Sequence, residues 1–525
     1  MEEQPWTQDA SPGDRRIVRR LGCIESYQVA LQNLDHMRGN ILACRYTLPA
    51  RLVPHQLQHE LVSTFETAVA HVVLKHPHMH VGLTGEGTDK PCWVRLDSIN
   101  LQEHVEWHTV RGGTDHFQKA FLSASSQALD AKFINYHTAP GWKIKVLRQE
   151  GADFIEVLLV FNHTNMDGGS AKTFHKDLLQ SLHDAPQIHD DHLTGNHVLT
   201  LPENSTAMLS PPPENLVSLP VEAGAMLEFL QVEVRTPAAK YPRSSAQAHW
   251  APIVTAPFKT QFRSISVPSH VLSKLVQACH HRETTLTGLL QALVLVSLAA
   301  LLEPSDATAF GSLTAMDFRR FLPSHHRWYP WFKPDRAMSN YVTCVNHIFD
   351  EDFVAQIRSR HSPYARDALE FGVLMDLAWT AARKVRHDLK AKLDQGTKND
   401  MIGFAQAIGD WRTQLTEHTR RPRPSSWVIT NLGLIDGSPT SLLSAGDAKP
   451  EPGSTWSMTR TQLLMCANVV SSAFGISVAA VKGGDLVITS SWQDCVIDVN
   501  LGEAFVKNLE RSLKFTAQHQ RGCRL

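Results

Sequence analysis

Residues 154–161 read FIEVLLVF, a nearly unbroken apolar run with the length and composition of a strand covered on both faces. A strand of this kind belongs inside a layered fold, not on a surface. Behind it comes NHTNMDGGS, then a new rhythm in which Ala171, Phe174, Leu178 and Leu182 share one stripe of a helix that starts at Gly168 and Gly169. His163 therefore lies just past the end of a buried strand, in the turn that leads into a helix.

The same alternation runs through the chain. ILACRYTL is extended up to Pro49, and LQHELVSTFETAVAHVVLKHP spaces Leu61, Phe65, Val69 and Val72 as an amphipathic helix that stops at Pro77. In HPHMHVGL, His76, His78 and His80 would share one face if extended. Without Cys, Asp or Glu at ligand spacing, that pattern reads as the polar opening of a strand and not as a metal site. Between about 184 and 258, prolines from Pro186 to Pro257 break every pattern. This is the best boundary in the chain, and it divides an N-terminal domain (1–200) from a C-terminal domain (261–525) by a Pro-rich crossover (201–260) that wraps the surface.

The second half opens with the strand FRSISV and helical HVLSKLVQACHHR, followed by ETTLTGLLQALVLVSLAALL, where Thr284 or Thr285 caps a buried helix. SWVITNLGLI at 426–435 and AFGISVAAVKGGDLVITSSW at 473–492 are extended, the latter turning at Gly483 and Gly484, and a helix closes the chain at about 501–517. Each half is mixed α/β.

Length and charge exclude several classes. A chain of 525 residues suits more than one core, and 51 basic against 52 acidic side chains leave no net field to draw it to nucleic acid or an acidic membrane surface. Eight scattered cysteines without a C-x-x-C pair point to a reducing interior. The N-terminal MEEQPWTQDASPGDRR reads as a disordered tail with no secretory signal, and the apolar 286–302 segment as a core helix, since it is short for a membrane span and carries Thr287, Gln291 and Ser297. The expected compartment is the cytoplasm, with the peroxisome as alternative because Cys523-Arg524-Leu525 matches a relaxed S-K-L address. A monomer is expected.

The chemistry concentrates at the H-x-x-x-D-G of residues 163–168. A histidine there can act as a general base, its ordinary pKa near 6.5 leaving it largely neutral at pH 7, or it can be a polar cap on the strand. Asp167 can pair with the imidazole, orient the loop, or engage a distant arginine, while Gly168 permits a tight or positive-φ backbone.

The sequence resembles the fungal alcohol O-acetyltransferases, within the superfamily of CoA-dependent acyltransferases that includes plant BAHD enzymes, chloramphenicol acetyltransferase and peptide-synthetase condensation domains. RRLGCIESYQVALQNLDHMRGNILACRYTLP looks like the family's opening and HTNMDGGSAKTFHKDLL like its active-site segment. ETTLTGLLQALVLVSLAALL, TAMDFRRFLP, MSNYVT, WVITNLGL and GGDLVITSSWQD then follow in the family's order.

The resemblance implies two chloramphenicol-acetyltransferase-like α/β domains with a tunnel between them, holding His163 at its middle. His163 would take a proton from an alcohol that attacks an acyl-CoA thioester, without an acyl-enzyme. Asp167 would reach across to Arg319, with Arg320 as a close substitute, and Thr430 and Asn431 are candidates for stabilising the oxyanion. Acetyl-CoA or another acyl-CoA is the implied co-substrate, and a small, fairly apolar alcohol the implied acceptor. A carrier-protein thioester donor and a non-catalytic binding role are the alternatives.

Departures narrow the reading. Asn162 stands where condensation domains carry a first histidine and no D-F-G-W-G occurs, which argues against peptide-bond formation and a plant-type enzyme; Ser339 replaces a frequent glycine. No short phosphate-cradling loop marks a CoA site.

Overall fold

The computed structural model describes residues 16–184, 192–194, 196–204, 206–234, 236–237, 240, 244–360, 368–438 and 453–519. The N-terminal tail up to residue 15 and the Cys523-Arg524-Leu525 tripeptide lie outside the described residues.

Two large sheets organise the chain. A 5-stranded sheet runs Ser457–Leu464, Gly39–Thr47, Phe154–Asn162, Trp142–Gln149, Val105–Val110 in spatial order. A 6-stranded sheet runs Thr260–Val267, Leu486–Gln493, Ser472–Val481, Ser425–Ile435, Phe310–Asp317, Val342–Phe349. Both mix parallel and antiparallel pairs. Their outer faces carry the helices Gln58–Lys75 and Gly168–Asp184 on the first sheet, and Leu286–Leu301 and Val499–Gln518 on the second.

The strand Phe154–Asn162 shows why its sequence is apolar throughout. Ile155, Val157, Leu159 and Phe161 enter one core beneath the two helices, while Leu158 and Val160 enter a second core shared with Phe262, Leu464 and Val469 of the other half. Its one charge, Glu156, is fully buried and held by Arg45 Nε at 2.8 Å.

One strand does not respect the division of the sequence into halves. Ser457–Leu464 leaves the second half to pair antiparallel with Gly39–Thr47. It remains tied to the sheet it left, because Gln462 Nε2 donates to Ser264 Oγ at 2.7 Å and Ser477 Oγ donates to the Leu463 carbonyl at 2.5 Å. The two sheets are thereby held together by backbone.

The helix Leu286–Leu301 is buried along nearly its whole length, capped by Thr285 Oγ1 accepting from Gly288 N at 3.1 Å; Thr284 instead donates to the Ala382 carbonyl. Gln291 is its polar hub, accepting from Ser312 Oγ and Trp427 Nε1 and donating to Thr314 Oγ1. Among the described residues no single helix is long and apolar enough to cross a membrane.

The histidine-rich segment differs from its sequence reading. Pro77–Met79 forms a 3₁₀ turn, because proline fixes φ, and the strand begins only at Val81. The three imidazoles diverge. His76 meets Asp177 at 2.6 Å, His80 meets the Val73 carbonyl, and His78 stands edge-on to Trp93. Among the described residues no three His, Cys, Asp or Glu side chains converge as metal ligands would.

Leu159 is fully buried in the strand that delivers the motif. Leu159→Ala is expected to lower stability by about 2–5 kcal/mol, read by urea denaturation.

Candidate functional site

The motif strand ends where its last residue turns the chain. Asn162, paired with Gly39, donates its N–H to the Gly141 carbonyl at 2.8 Å, and its own carbonyl accepts from Asn165 N and Met166 N at 3.1 and 3.2 Å. Its side chain is fully buried: Oδ1 accepts from Thr164 N at 2.7 Å and Nδ2 donates to Tyr136 Oη at 3.2 Å. The residue that departs from the condensation-domain pattern thus pins the turn that carries His163.

His163 is half-buried, with Nδ1 2.9 Å from the Met166 carbonyl. A carbonyl can only accept, so Nδ1 carries the proton and Nε2 is left as an acceptor. Nε2 has no hydrogen bond from another described residue. Asn340 Nδ2 donates to the His163 carbonyl at 2.8 Å and lies 3.2 Å from Nδ1. Burial pushes the imidazole pKa below 6.5, and Asp167 opposes part of that shift.

Asp167 makes no hydrogen bond to His163. Its Oδ1 accepts from Ser170 N, Ser170 Oγ and Arg319 Nη2 at 2.7, 2.8 and 3.0 Å, and its Oδ2 from Arg319 Nη1 and Tyr341 N at 2.7 and 2.9 Å. Burial alone would raise this carboxyl; Arg319 and the backbone donors outweigh it and hold the pKa below its ordinary value. Arg319 completes its fork on the carbonyls of Ala337 and Ser339, at 3.0 and 3.2 Å from Nη2. Arg320 is exposed and donates to the Asp317 carbonyl.

Gly168 and Gly169 serve close approach, and neither has a positive φ. A Cβ on Gly168 would lie 2.4 Å from Leu432 Cδ2, and one on Gly169 2.7 Å from Arg319 Nη1. The positive-φ option for Gly168 is therefore corrected: the space it frees is taken by a side chain of the second half.

Between the motif helix, the ends of the strands Phe310–Asp317 and Ser425–Ile435, and the helices Leu286–Leu301 and Ala368–Gln395 lies a cavity of about 1080 Å³. Asp167, Gly168, Arg319, Thr430 and Asn431 all line it; His163 does not. Leu432, packed on Gly168, forms part of the wall on the motif side. Asn431 is committed to its strand end, donating to Thr287 Oγ1 at 3.1 Å and accepting from Gly433 N at 2.9 Å, whereas the Thr430 hydroxyl bonds to no other described residue. Lys172, Lys176, Arg320, Arg386 and Lys390 outnumber Asp317, Asp335 and Asp436 around the wall.

Sequence reasoning passed over Ser170, Asn340 and Tyr341. The last two stand in the quoted MSNYVT, where only Ser339 drew attention; an asparagine beside a tyrosine carries no local signal of what it faces.

Removing one partner of a buried pair leaves an uncompensated charge, so Asp167→Asn is expected to cost about 3–5 kcal/mol of unfolding free energy. The folded carboxyl titrates below its ordinary value near 4, so the pair stabilises fully above that pH and its contribution is lost as pH falls through the folded pKa. Denaturation of the two proteins across acid pH should show that loss in the wild type and a flatter profile in the variant.

A family model described as alcohol acetyltransferase matches residues 115–436. A probable alcohol acetyltransferase, FCK4 of Fusarium pseudograminearum, is 25% identical over 515 residues, covering 95% of each chain. Among solved structures, the TRI3 trichothecene 15-O-acetyltransferase of Fusarium sporotrichioides superposes with TM-score 0.67 at 13% identity over 97% of this chain and 98% of that one. The first condensation domain of the CDA synthetase superposes with TM-score 0.56 at 10% identity, covering 96% and 97%. With the family model matching more than half of its length and a pair of chloramphenicol-acetyltransferase-like sheets, this chain belongs to the alcohol acetyltransferase family and is an acyltransferase of the O-acetyltransferase kind.

Proposed function

We propose that the chain transfers an acyl group, acetyl in the first instance, from acyl-CoA to the hydroxyl of a small, apolar secondary-metabolite alcohol, with His163 as general base. The observation that carries this reading is the Nδ1 bond to the Met166 carbonyl, which leaves Nε2 as an acceptor with no hydrogen bond from another described residue. The alcohol proton passes to Nε2 while its oxygen attacks the thioester carbon. The tetrahedral oxyanion then collapses, the C–S bond breaks, and the departing thiolate takes the proton from the imidazolium. No acyl-enzyme forms.

The cavity supports acyl-CoA as donor. Lys172, Lys176, Arg386 and Lys390 suit phosphates, and the N-terminus of the helix Leu286–Leu301, with Thr285 and Thr287, opens onto the same space. Thr430 is the better oxyanion candidate, since its hydroxyl bonds to no other described residue, whereas the Asn431 side-chain amide is committed to Thr287 and Gly433. In this reading residues 1–200 and 261–525 supply the two walls and 201–260 crosses between them.

His163→Ala is expected to keep its fold by circular dichroism and to lose acceptor-dependent release of free CoA by about 10²–10⁴-fold. A variant releasing CoA at the wild-type rate sinks the assignment. Because the base acts unprotonated and its pKa lies below 6.5, the wild-type rate should fall only as pH drops below that value. Arg386→Ala should raise KM for acetyl-CoA about five- to tenfold with little change in kcat. That effect should vanish with an acetyl-pantetheine donor, which lacks the nucleotide phosphates.

A further inference from the structure

Ser339, Asn340 and Tyr341 are held from both sides by the motif and its partners. Arg319 Nη2 donates to the Ser339 carbonyl at 3.2 Å, the single Ser170 Oγ proton is shared between that carbonyl, at 2.7 Å, and Asp167 Oδ1, and Ser339 N donates to Ser170 Oγ at 3.1 Å. On the far side, Tyr341 N donates to Asp167 Oδ2 at 2.9 Å, and Tyr341 Oη donates to the Pro211 carbonyl at 2.6 Å. The ion pair of Asp167 and Arg319 thus grips the residues on either side of Asn340 and makes no bond to Asn340 itself.

The Asn340 side chain goes to the base. Its Nδ2 donates to the His163 carbonyl at 2.8 Å and stands 3.2 Å from His163 Nδ1, and the amide orientation is fixed by chemistry, since the carbonyl can only accept. Asn340 is 1% exposed, and its buried Oδ1 has no hydrogen-bond partner among the described residues. An amide kept for packing would be expected to satisfy both ends or to be replaced by an apolar residue, because an unmade buried bond carries the full desolvation cost.

Resting on the assignment of His163 as base, we infer that Asn340 is its positioning residue, and that the Asp167–Arg319 pair acts on the chemistry through it. The bond to the His163 carbonyl fixes the turn, and so the direction in which Nε2 points. The Nδ2 amide beside Nδ1–H turns the positive end of its dipole toward the ring, which disfavours the positive charge that protonation at Nε2 would add. The charged group acting on the imidazole is Asp167, four residues along the same turn, and Arg319 neutralises that carboxylate from the second half.

Three proteins test this. His163→Ala is made first; if it keeps wild-type turnover, the base assignment has failed and this inference falls with it, a result read independently of Asn340. With His163→Ala inactive, Asn340→Ala is expected to lower kcat about tenfold to a hundredfold while KM for acyl-CoA stays within about twofold. The nearly isosteric Asn340→Asp puts a carboxylate against Nδ1–H and should move the acid limb of the kcat–pH profile upward by about one unit. The pH dependence of diethyl pyrocarbonate modification of His163, followed by peptide mass spectrometry, should move with it. Wild-type kcat in the alanine variant, or an unmoved limb in the aspartate variant, overturns the proposal. Failure of both variants to fold also overturns it, since Asn340 would then be part of the scaffold.

Discussion

The site depends on one buried ion pair. Asp167 is 1% and Arg319 9% exposed, and taking both charges out of water costs several kcal/mol each. That cost is offset only because nearly every lone pair and N–H finds a partner: the carboxylate accepts five hydrogen bonds, and the guanidinium divides its donors among Asp167, Asp317, Ser170, Ala337 and Ser339. A well-packed apolar pair could stabilise the junction as well. What the ion pair adds is direction, since it joins the start of one helix to the 3₁₀ turn Phe318–Phe321 of the opposite half with bidentate geometry that no apolar contact reproduces.

That direction is useful only if the two halves cannot slide, and the backbone prevents it. Ser457–Leu464 is hydrogen-bonded into the first sheet while its neighbours stay in the second, so the cavity at the junction has walls from both. Close approach completes the fit, with Leu432 occupying the space of the absent Gly168 side chain and Arg319 that of Gly169. The two glycines are there for contact between halves, and Lys172 reinforces it by donating to the Leu432 carbonyl at 2.7 Å.

Elements set by local pattern were legible in the sequence. The strand at 154–161, the helix stripe from Ala171, the cap of the Leu286–Leu301 helix and the hairpin at Gly483 all follow from periodicity and turn chemistry over short windows. Across the halves, local pattern was silent. Nothing around 457–464 announces that the strand leaves its own sheet, and the HPHMH histidines alternate in sequence yet a proline turn sends them to three different partners. At the site the motif named His163 and Asp167, and the order of matching segments named Arg319. Asn340 carried no local signal, because residues 339 and 341 are held by Ser170 and Asp167, each some 170 positions away.

The motif's two side chains also solve a problem that burial sets. Loss of water pushes an imidazole and a carboxyl alike toward their neutral forms. For the general base proposed at His163 that would be an advantage, and its imidazole is left with its downward shift; for an anchor it is ruinous, and Asp167 is held charged by Arg319. Had the carboxylate bonded the imidazole, it would have stabilised the imidazolium and raised the His163 pKa, leaving fewer molecules able to accept a proton. Committing Asp167 to the second half keeps one residue charged and the other neutral in the same turn. It also delivers to the neutral one an amide, from Asn340, that cannot take up its proton.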